Sequence, residues 1–233
     1  MKINDSVAFV TGANRGLGLA LVHELLARGA SKVYAGVRDP DSIKLPRVVA
    51  VKLDVTDAAQ VAAAAAQCGD VSLLINNAGI ARLTSYLDPA AIDVAREIMD
   101  TNYLGVIRMS QAFTPILQRN GGGAIVNVLS VGSWVNSPEL SLYAASKSAA
   151  WGFTNGLRTA LREQGTQVLG LHVRFMETDM TDGFEAPKVQ PQDVAIQTLA
   201  GVEDGLDEVL ADDITRIVKQ GLATGIYLSP LQR

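Results

Sequence analysis

Short runs of apolar and β-branched residues alternate along this chain with longer stretches in which apolar side chains return at helical spacing. "SVAFVTG", ending at Gly12, reads as a strand, and residues 17 to 28, "LGLALVHELLAR", read as a helix. "SKVYAGV" and "RVVAVKLDV" are further strand patterns, "DAAQVAAAAAQC" an Ala-rich helix opened by Asp57, and "VSLLIN" a fourth strand. Downstream the pattern predicts two long helices near residues 90 to 119, a strand at "GAIVNVLS", a helix over 143 to 164 and a sixth strand at "TQVLGLHV". Residues 191 to 220 read as helical, and "GIYL" as a short final strand or a tail. Near-continuous apolar strands alternating with helices imply an α/β fold, a single doubly wound parallel sheet with helices on both faces. No polar tract divides the 233 residues, so one domain over 1–233 is expected.

Charge and composition narrow the partners. Twenty Lys and Arg stand against twenty-four Asp and Glu, a net charge of -4 with no dense basic run, so nucleic acid is not an expected partner. Cys68 is the sole cysteine, which excludes an internal disulfide. With only His23 and His172 besides, no zinc-site spacing exists and no metal is expected. No secretory leader pattern and no uncharged apolar stretch of membrane-spanning length are found, so a cytoplasmic protein without a membrane partner is expected.

The candidate chemistry begins in "TGANRGLG", between the first strand and first helix, with glycines at 12, 16 and 18. Such glycines permit positive φ and close approach of the backbone to a pyrophosphate, which helix N-terminal amides attract. The spacing is G-x-x-x-G-x-G rather than the G-x-G-x-x-G fingerprint, and a plain Gly-rich turn is the alternative. "GGG" at 121 to 123 precedes a strand instead of a helix and reads as a turn. At the end of the second strand, "AGVRDP" presents Arg38 just before Asp39, and Arg15 lies in the Gly-rich loop. Two guanidinium groups near the adenosine ribose would pair with a 2′-phosphate, whereas Asp39 alone would favour the unphosphorylated cofactor. NADP(H) is therefore the expected cofactor, with NAD(H) the alternative.

Taken in order, "TGANRGLG" at 11 to 18, "LDV" at 53 to 55, "NNAG" at 76 to 79, Asn102 in "DTNYLG", Ser130 in "NVLS" and "YAASK" at 143 to 147 resemble the short-chain dehydrogenase/reductase family. The resemblance runs from residue 6 to about 180 and implies a Rossmann-type fold and a carbonyl reductase-like enzyme. Positions i and i+4 share a helix face, so Tyr143 and Lys147 can act together. The resemblance implies that Tyr143 is the general acid in carbonyl reduction and the base in the reverse oxidation. It implies that Lys147 lowers the Tyr143 pKa and binds the nicotinamide ribose, that Ser130 donates to the substrate oxygen, and that Asn102 holds a water in a proton relay. Ser133 competes with Ser130 for its role, and Asn102 has an alternative as a buried helix-kinking or capping residue. The same resemblance places Gly12, Arg15, Gly16, Leu17 and Gly18 on the pyrophosphate and ribose, Asp54 and Val55 on the adenine, and Asn77, Ala78 and Gly79 near the cofactor ribose. "NNAG" also suits a structural role, bracing the sheet through its Asn side chains.

The chain departs from the family after the sixth strand, where Val173 and Arg174 replace a Pro-Gly pair, while Thr178 stands where a nicotinamide carboxamide contact is expected. Residues 178–191 read as the substrate loop. Trp134, Val135, Leu140, Met180 and Phe184 are candidates for its pocket wall, or else core residues, and an apolar pocket would suit small-molecule ketones, aldehydes or alcohols. Small and aromatic residues at 149 to 153 suggest helix pairing in a homodimer or homotetramer, or burial within the monomer. The main alternative in function is a catalytically silent, dinucleotide-sensing regulatory protein, whose mark would be a broken Ser, Tyr or Lys. An epimerase or dehydratase usually needs a larger sugar-nucleotide domain. A Ser hydrolase is disfavoured, since G-x-S-x-G is missing and neither histidine has an evident partner.

Overall fold

The computed structural model describes residues 1–228. Seven strands, β1 (Val7–Thr11), β2 (Lys32–Val37), β3 (Val48–Lys52), β4 (Leu73–Asn76), β5 (Gly123–Val128), β6 (Thr166–His172) and β7 (Glu208–Leu210), form one sheet in the order β3-β2-β1-β4-β5-β6-β7. Every neighbouring pair is parallel. The connections are made by α1 (Gly16–Ala27), α2 (Ala58–Gln67), α3 (Ala91–Met99), α4 (Gly105–Arg119), α5 (Ser141–Ala160), α6 (Pro191–Glu203) and α7 (Asp213–Gly221). The doubly wound parallel sheet expected from the hydrophobic pattern is thus the observed fold.

Period-two alternation sorts each strand between two cores. Ala8, Val10, Leu73, Ile75 and Val126 pack with Leu21 and Leu25 of α1 and Val194 and Leu199 of α6. Phe9, Leu74 and Ile125 point the other way, onto Val61 of α2 and Met109, Phe113 and Leu117 of α4. The central strands are therefore apolar on both faces, which is why they read as continuous apolar runs. Asp57 caps α2 as predicted, accepting from the amides of Ala59 and Gln60.

Four segments differ from the sequence pattern. The helices near 90 to 119 run on without a break, α3 passing through a π-helical turn, Asp100–Leu104, into α4. The helix predicted over 143 to 164 runs instead from Ser141 to Ala160, starting two residues earlier and ending four residues earlier. The segment 191 to 220 is not one helical region. α6 stops at Glu203, Gly205 turns the chain at φ 72°, and Glu208–Leu210 adds to the free edge of β6 before α7 starts. "GIYL" supplies no strand, because Ile226–Leu228 closes a 3-10 turn after the left-handed Gly225. Strand order reverses between β1 and β4, and the candidate residues gather at the carboxyl ends of the strands beside this switch point. Among the described residues no helix is long and apolar enough to cross a membrane.

Candidate active site

The Gly-rich loop links Thr11, the last residue of β1, to α1. Gly12 and Gly16 hold φ values of 65° and 51°, and a Cβ on Gly18 would lie 2.1 Å from the Gly12 carbonyl oxygen. "NNAG" braces this turn from the end of β4. Asn77 Nδ2 donates to the carbonyls of Thr11 and Gly12 at 2.9 and 3.2 Å, while Thr11 Oγ1 accepts from the amides of Asn77 and Ala78 at 3.0 and 2.9 Å. Asn76 takes the structural role, donating to Asn127 Oδ1 at 2.8 Å beneath the loop. Leu17 is buried behind it. The first turn of α1 has neither a side-chain cap nor an acidic residue, so its unpaired amides suit an anion. This cradle, with glycines where a Cβ would intrude, fits the pyrophosphate of a dinucleotide.

Ser130 follows β5 in extended conformation (φ -163°, ψ 161°), and its hydroxyl accepts from the Gly132 amide at 3.0 Å. The same hydroxyl faces the Tyr143 phenol closely enough to act on its pKa. One turn along α5, Lys147 is buried, with Nζ 5.7 Å from the centre of the Tyr143 ring and donating to the Val128 carbonyl at 2.7 Å. Its Nζ also lies 3.7 Å from where a Cβ on Gly79 would be, so "NNAG" approaches the amine closely. Ser130, Tyr143 and Lys147 form one cluster.

Burial dominates the acidities of this pair in the protein alone. Burial pushes the phenol up to about 12, only partly offset by the hydrogen bond from Ser130. Burial also pulls the Lys147 ammonium down to about 8. The loss of water around the charged form is the largest cause of the first shift and the cause of the second.

Asn102 sits fully buried in the π-helical turn. Its Oδ1 accepts from the Ile80 amide at 2.8 Å, and its Nδ2 donates to the Ile80 carbonyl at 2.9 Å and to Ser146 Oγ at 3.0 Å. Those bonds engage the amide on both its oxygen and its nitrogen, so the side chain clamps the "NNAG" loop to α5. Ser146 completes the clamp by donating to the Tyr143 carbonyl at 2.6 Å.

The remaining cofactor candidates lie at the ends of β2 and β3, in the Gly-rich loop and after β6. Asp54 Oδ1 accepts from the amide and hydroxyl of Thr56, at 2.9 and 2.7 Å, and Val55 is buried against Gly105. Arg38 is exposed at the end of β2, next to Asp39, whose carboxylate caps the turn Pro40–Ser42. Arg15 is exposed in the Gly-rich loop. Its guanidinium pairs with Asp179 at 3.1 Å, both side chains being largely exposed. Thr178 lies against the Gly-rich loop, its Cγ2 3.3 Å from the position of a Cβ on Gly16. Where the family has Pro-Gly, Val173 is buried and accepts from the Val131 amide at 3.0 Å, and the Arg174 amide donates to Asp212 Oδ2 at 2.8 Å.

Of the pocket-wall candidates, Val135 joins Val131 and Val218 in a small core under α7. The Trp134 ring stacks on His172 at 4.0 Å and meets Trp151 edge-on at 6.2 Å. Leu140 ends a 3-10 turn just before α5, Met180 is exposed, and Phe184 stacks on Phe175 at 5.1 Å. The 178–191 segment is closed at its base, where Val189 bonds the backbone of Phe175 and Glu177 at 2.9 and 3.0 Å. Sequence reasoning passed over Thr11, Ser146, Asp179 and His172. Thr11 and Ser146 lie inside motifs already quoted, whereas the partners of Asp179 and His172 are remote in the chain.

Comparison with known proteins agrees with this geometry. Residues 6–188 match the family described as short chain dehydrogenase. A short chain dehydrogenase from Burkholderia cenocepacia J2315, solved in complex with NADP, is 40% identical, with a TM-score of 0.94 over 99% of this chain and 100% of its own. An NADPH-bound carbonyl reductase from chicken fatty liver is 32% identical, with a TM-score of 0.77 over 85% of this chain and 91% of its own. A 3-oxoacyl-[acyl-carrier-protein] reductase from Vibrio harveyi is 30% identical over 214 residues, 88% of this chain and 85% of its own. With this match, this fold and the Ser130, Tyr143 and Lys147 cluster, the chain belongs to the short-chain dehydrogenase/reductase family of oxidoreductases.

Proposed function

We propose that the protein is an NADP(H)-dependent reductase of ketones or aldehydes, reversible toward alcohol oxidation. The observation that carries this reading is the cluster of Ser130, Tyr143 and Lys147 beside the Gly-rich cradle. The bound nicotinamide would supply the hydride to the carbonyl carbon. The chain's own residues do the rest. Gly12, Gly16, Leu17 and Gly18 hold the pyrophosphate at the start of α1, Asp54 and Val55 border the adenine, and Asn77, Ala78, Gly79 and Thr178 border the ribose and nicotinamide. Ser130 donates to the substrate oxygen. Tyr143, whose high pKa keeps its proton on at neutral pH, gives that proton to the developing alkoxide. Lys147 holds its positive charge beside the phenol below pH of about 8 and favours the phenolate left behind.

Preference for NADP(H) is supported by exposed Arg38 and Arg15 and by Asp39, whose carboxylate is engaged as a cap. The 40%-identical Burkholderia cenocepacia protein was solved with NADP, which favours the same cofactor here. The loop over 178–191 acts as the lid of the substrate site, with Leu140, Met180 and Phe184 at its edge. Association of copies through the outer face of α5, where Gly152 and Gly156 have open space beside them, completes the reading.

The test is loss of reduced-nicotinamide absorbance when the purified protein meets a panel of ketones and aldehydes, with NADPH and NADH run in parallel. Turnover with a higher kcat/KM for NADPH is expected. Binding of dinucleotide with no turnover on any carbonyl would replace this reading with the sensor.

A further inference from the structure

His172 is fully buried at the end of β6, and its Nδ1 lies 3.1 Å from the carbonyl oxygen of Ser130. The same oxygen accepts from the Ser133 amide at 3.0 Å. A carbonyl can only accept, so Nδ1 carries the hydrogen and both lone pairs of this oxygen are engaged. The two bonds hold the Ser130 peptide where β5 turns into the Val131–Ser133 turn, the point that aims the Ser130 hydroxyl. The imidazole is itself held on several sides. Trp134 covers one face at 4.0 Å, with an interplanar angle of 20°. Nε2 has no hydrogen-bond partner and lies 3.7 Å from Glu208 Oε1. Lys219 of α7 grips that carboxylate at 2.7 Å and sits 4.8 Å above the Trp134 ring. The contacts with His172 and then Lys219 pull the Glu208 carboxyl down to about 2, against the burial that opposes them.

We propose that His172 is a positioning residue for the reaction, acting through the main-chain carbonyl of Ser130 and steadied by Trp134 and the Glu208–Lys219 pair. The proposal rests on the reading of Ser130 as the donor to the substrate oxygen. Packing alone would require only a flat ring in this place. The specific feature is a donor on the Ser130 carbonyl, because a hydroxyl displaced by a fraction of an ångström loses its alignment with the reacting oxygen.

The experiment has two arms. ¹⁵N NMR of the wild-type imidazoles is simple to assign, since His23, on the exposed side of α1, is the sole other histidine. A protonated Nδ1 on His172 is expected, and a bare Nδ1 with hydrogen on Nε2 alone would overturn the proposal whether or not any variant folds. In the second arm, His172→Asn keeps a donor near the Nδ1 position and His172→Leu removes it. With a carbonyl substrate the wild type reduces, kcat should fall about 10- to 100-fold in His172→Leu, stay within about threefold in His172→Asn, and leave the NADPH Kd unchanged in both. Equal losses in the two variants, or full kcat in His172→Leu, would reduce the residue to packing. A wild type without turnover on any carbonyl would sink the functional reading while the NMR answer on the Ser130 hydrogen bond stood.

Discussion

Lys147 Nζ donates to the Val128 carbonyl at 2.7 Å, tying the second turn of α5 to the last residue of β5. That single bond carries a buried ammonium whose pKa burial lowers to about 8 from an ordinary 10.5. Carbonyl reduction should hold near neutrality and fall roughly tenfold per pH unit above about 8, as the charge that favours the Tyr143 phenolate is lost. Stability carries the opposite sign. Between about 8 and 10.5 the unfolded chain binds more protons at this site than the folded one, so the contribution of Lys147 to stability grows as pH rises. Urea unfolding of the wild type and Lys147→Met should show the difference moving toward the wild type across that window, and a constant difference would contradict the shift.

Removing the Tyr143 hydroxyl isolates the proton-donor role. Tyr143→Phe keeps the ring and should lower kcat by about 10² to 10⁴-fold with little change in NADPH Kd. Ser130→Ala should lower kcat less. Carbonyl reduction that survives Tyr143→Phe would remove the tyrosine from the chemistry.

Arg15 of the Gly-rich loop and Asp179 pair at 3.1 Å, both largely exposed. Such exposed pairs contribute up to about 1 kcal/mol, so a cofactor phosphate can displace Asp179 from the guanidinium. Asp179→Asn should tighten NADPH by up to about fivefold and NADH by less, read by fluorescence titration. Arg38→Ala should weaken NADPH selectively. If both cofactors respond alike to these changes, neither residue touches the 2′-phosphate.

Gly18 cannot carry a side chain without moving the loop. A Cβ there would lie 2.1 Å from the Gly12 oxygen and 2.6 Å from Asn77 Nδ2, backbone on one side and a bonded amide on the other. Gly18→Ala should lose about 1–3 kcal/mol, divided between folding stability and dinucleotide affinity. Gly152→Ala, inside α5 with open space around it, should leave dinucleotide affinity unchanged and raise folding stability by about 0.5–1 kcal/mol through helix propensity, a contrast in sign that thermal unfolding and cofactor titration will register.

Much of this protein was legible in its sequence, because its main signals are local. The alternation of apolar strands with helices reports burial on both faces of a parallel sheet, and glycines 12, 16 and 18 report a turn with a close approach. Tyr143 and Lys147 share a face by helical period alone. Tertiary structure decided what depends on remote partners. β7 forms because β6 offers it an unpaired edge, which periodicity within 191 to 220 does not record. Arg15 meets Asp179 across 164 positions, and His172 meets Ser130 across 42, pairings that exist only once the strand ends converge. The pKa values of Tyr143 and Lys147 belong to this second group, since the water each group loses on folding is set by the packing of the whole site.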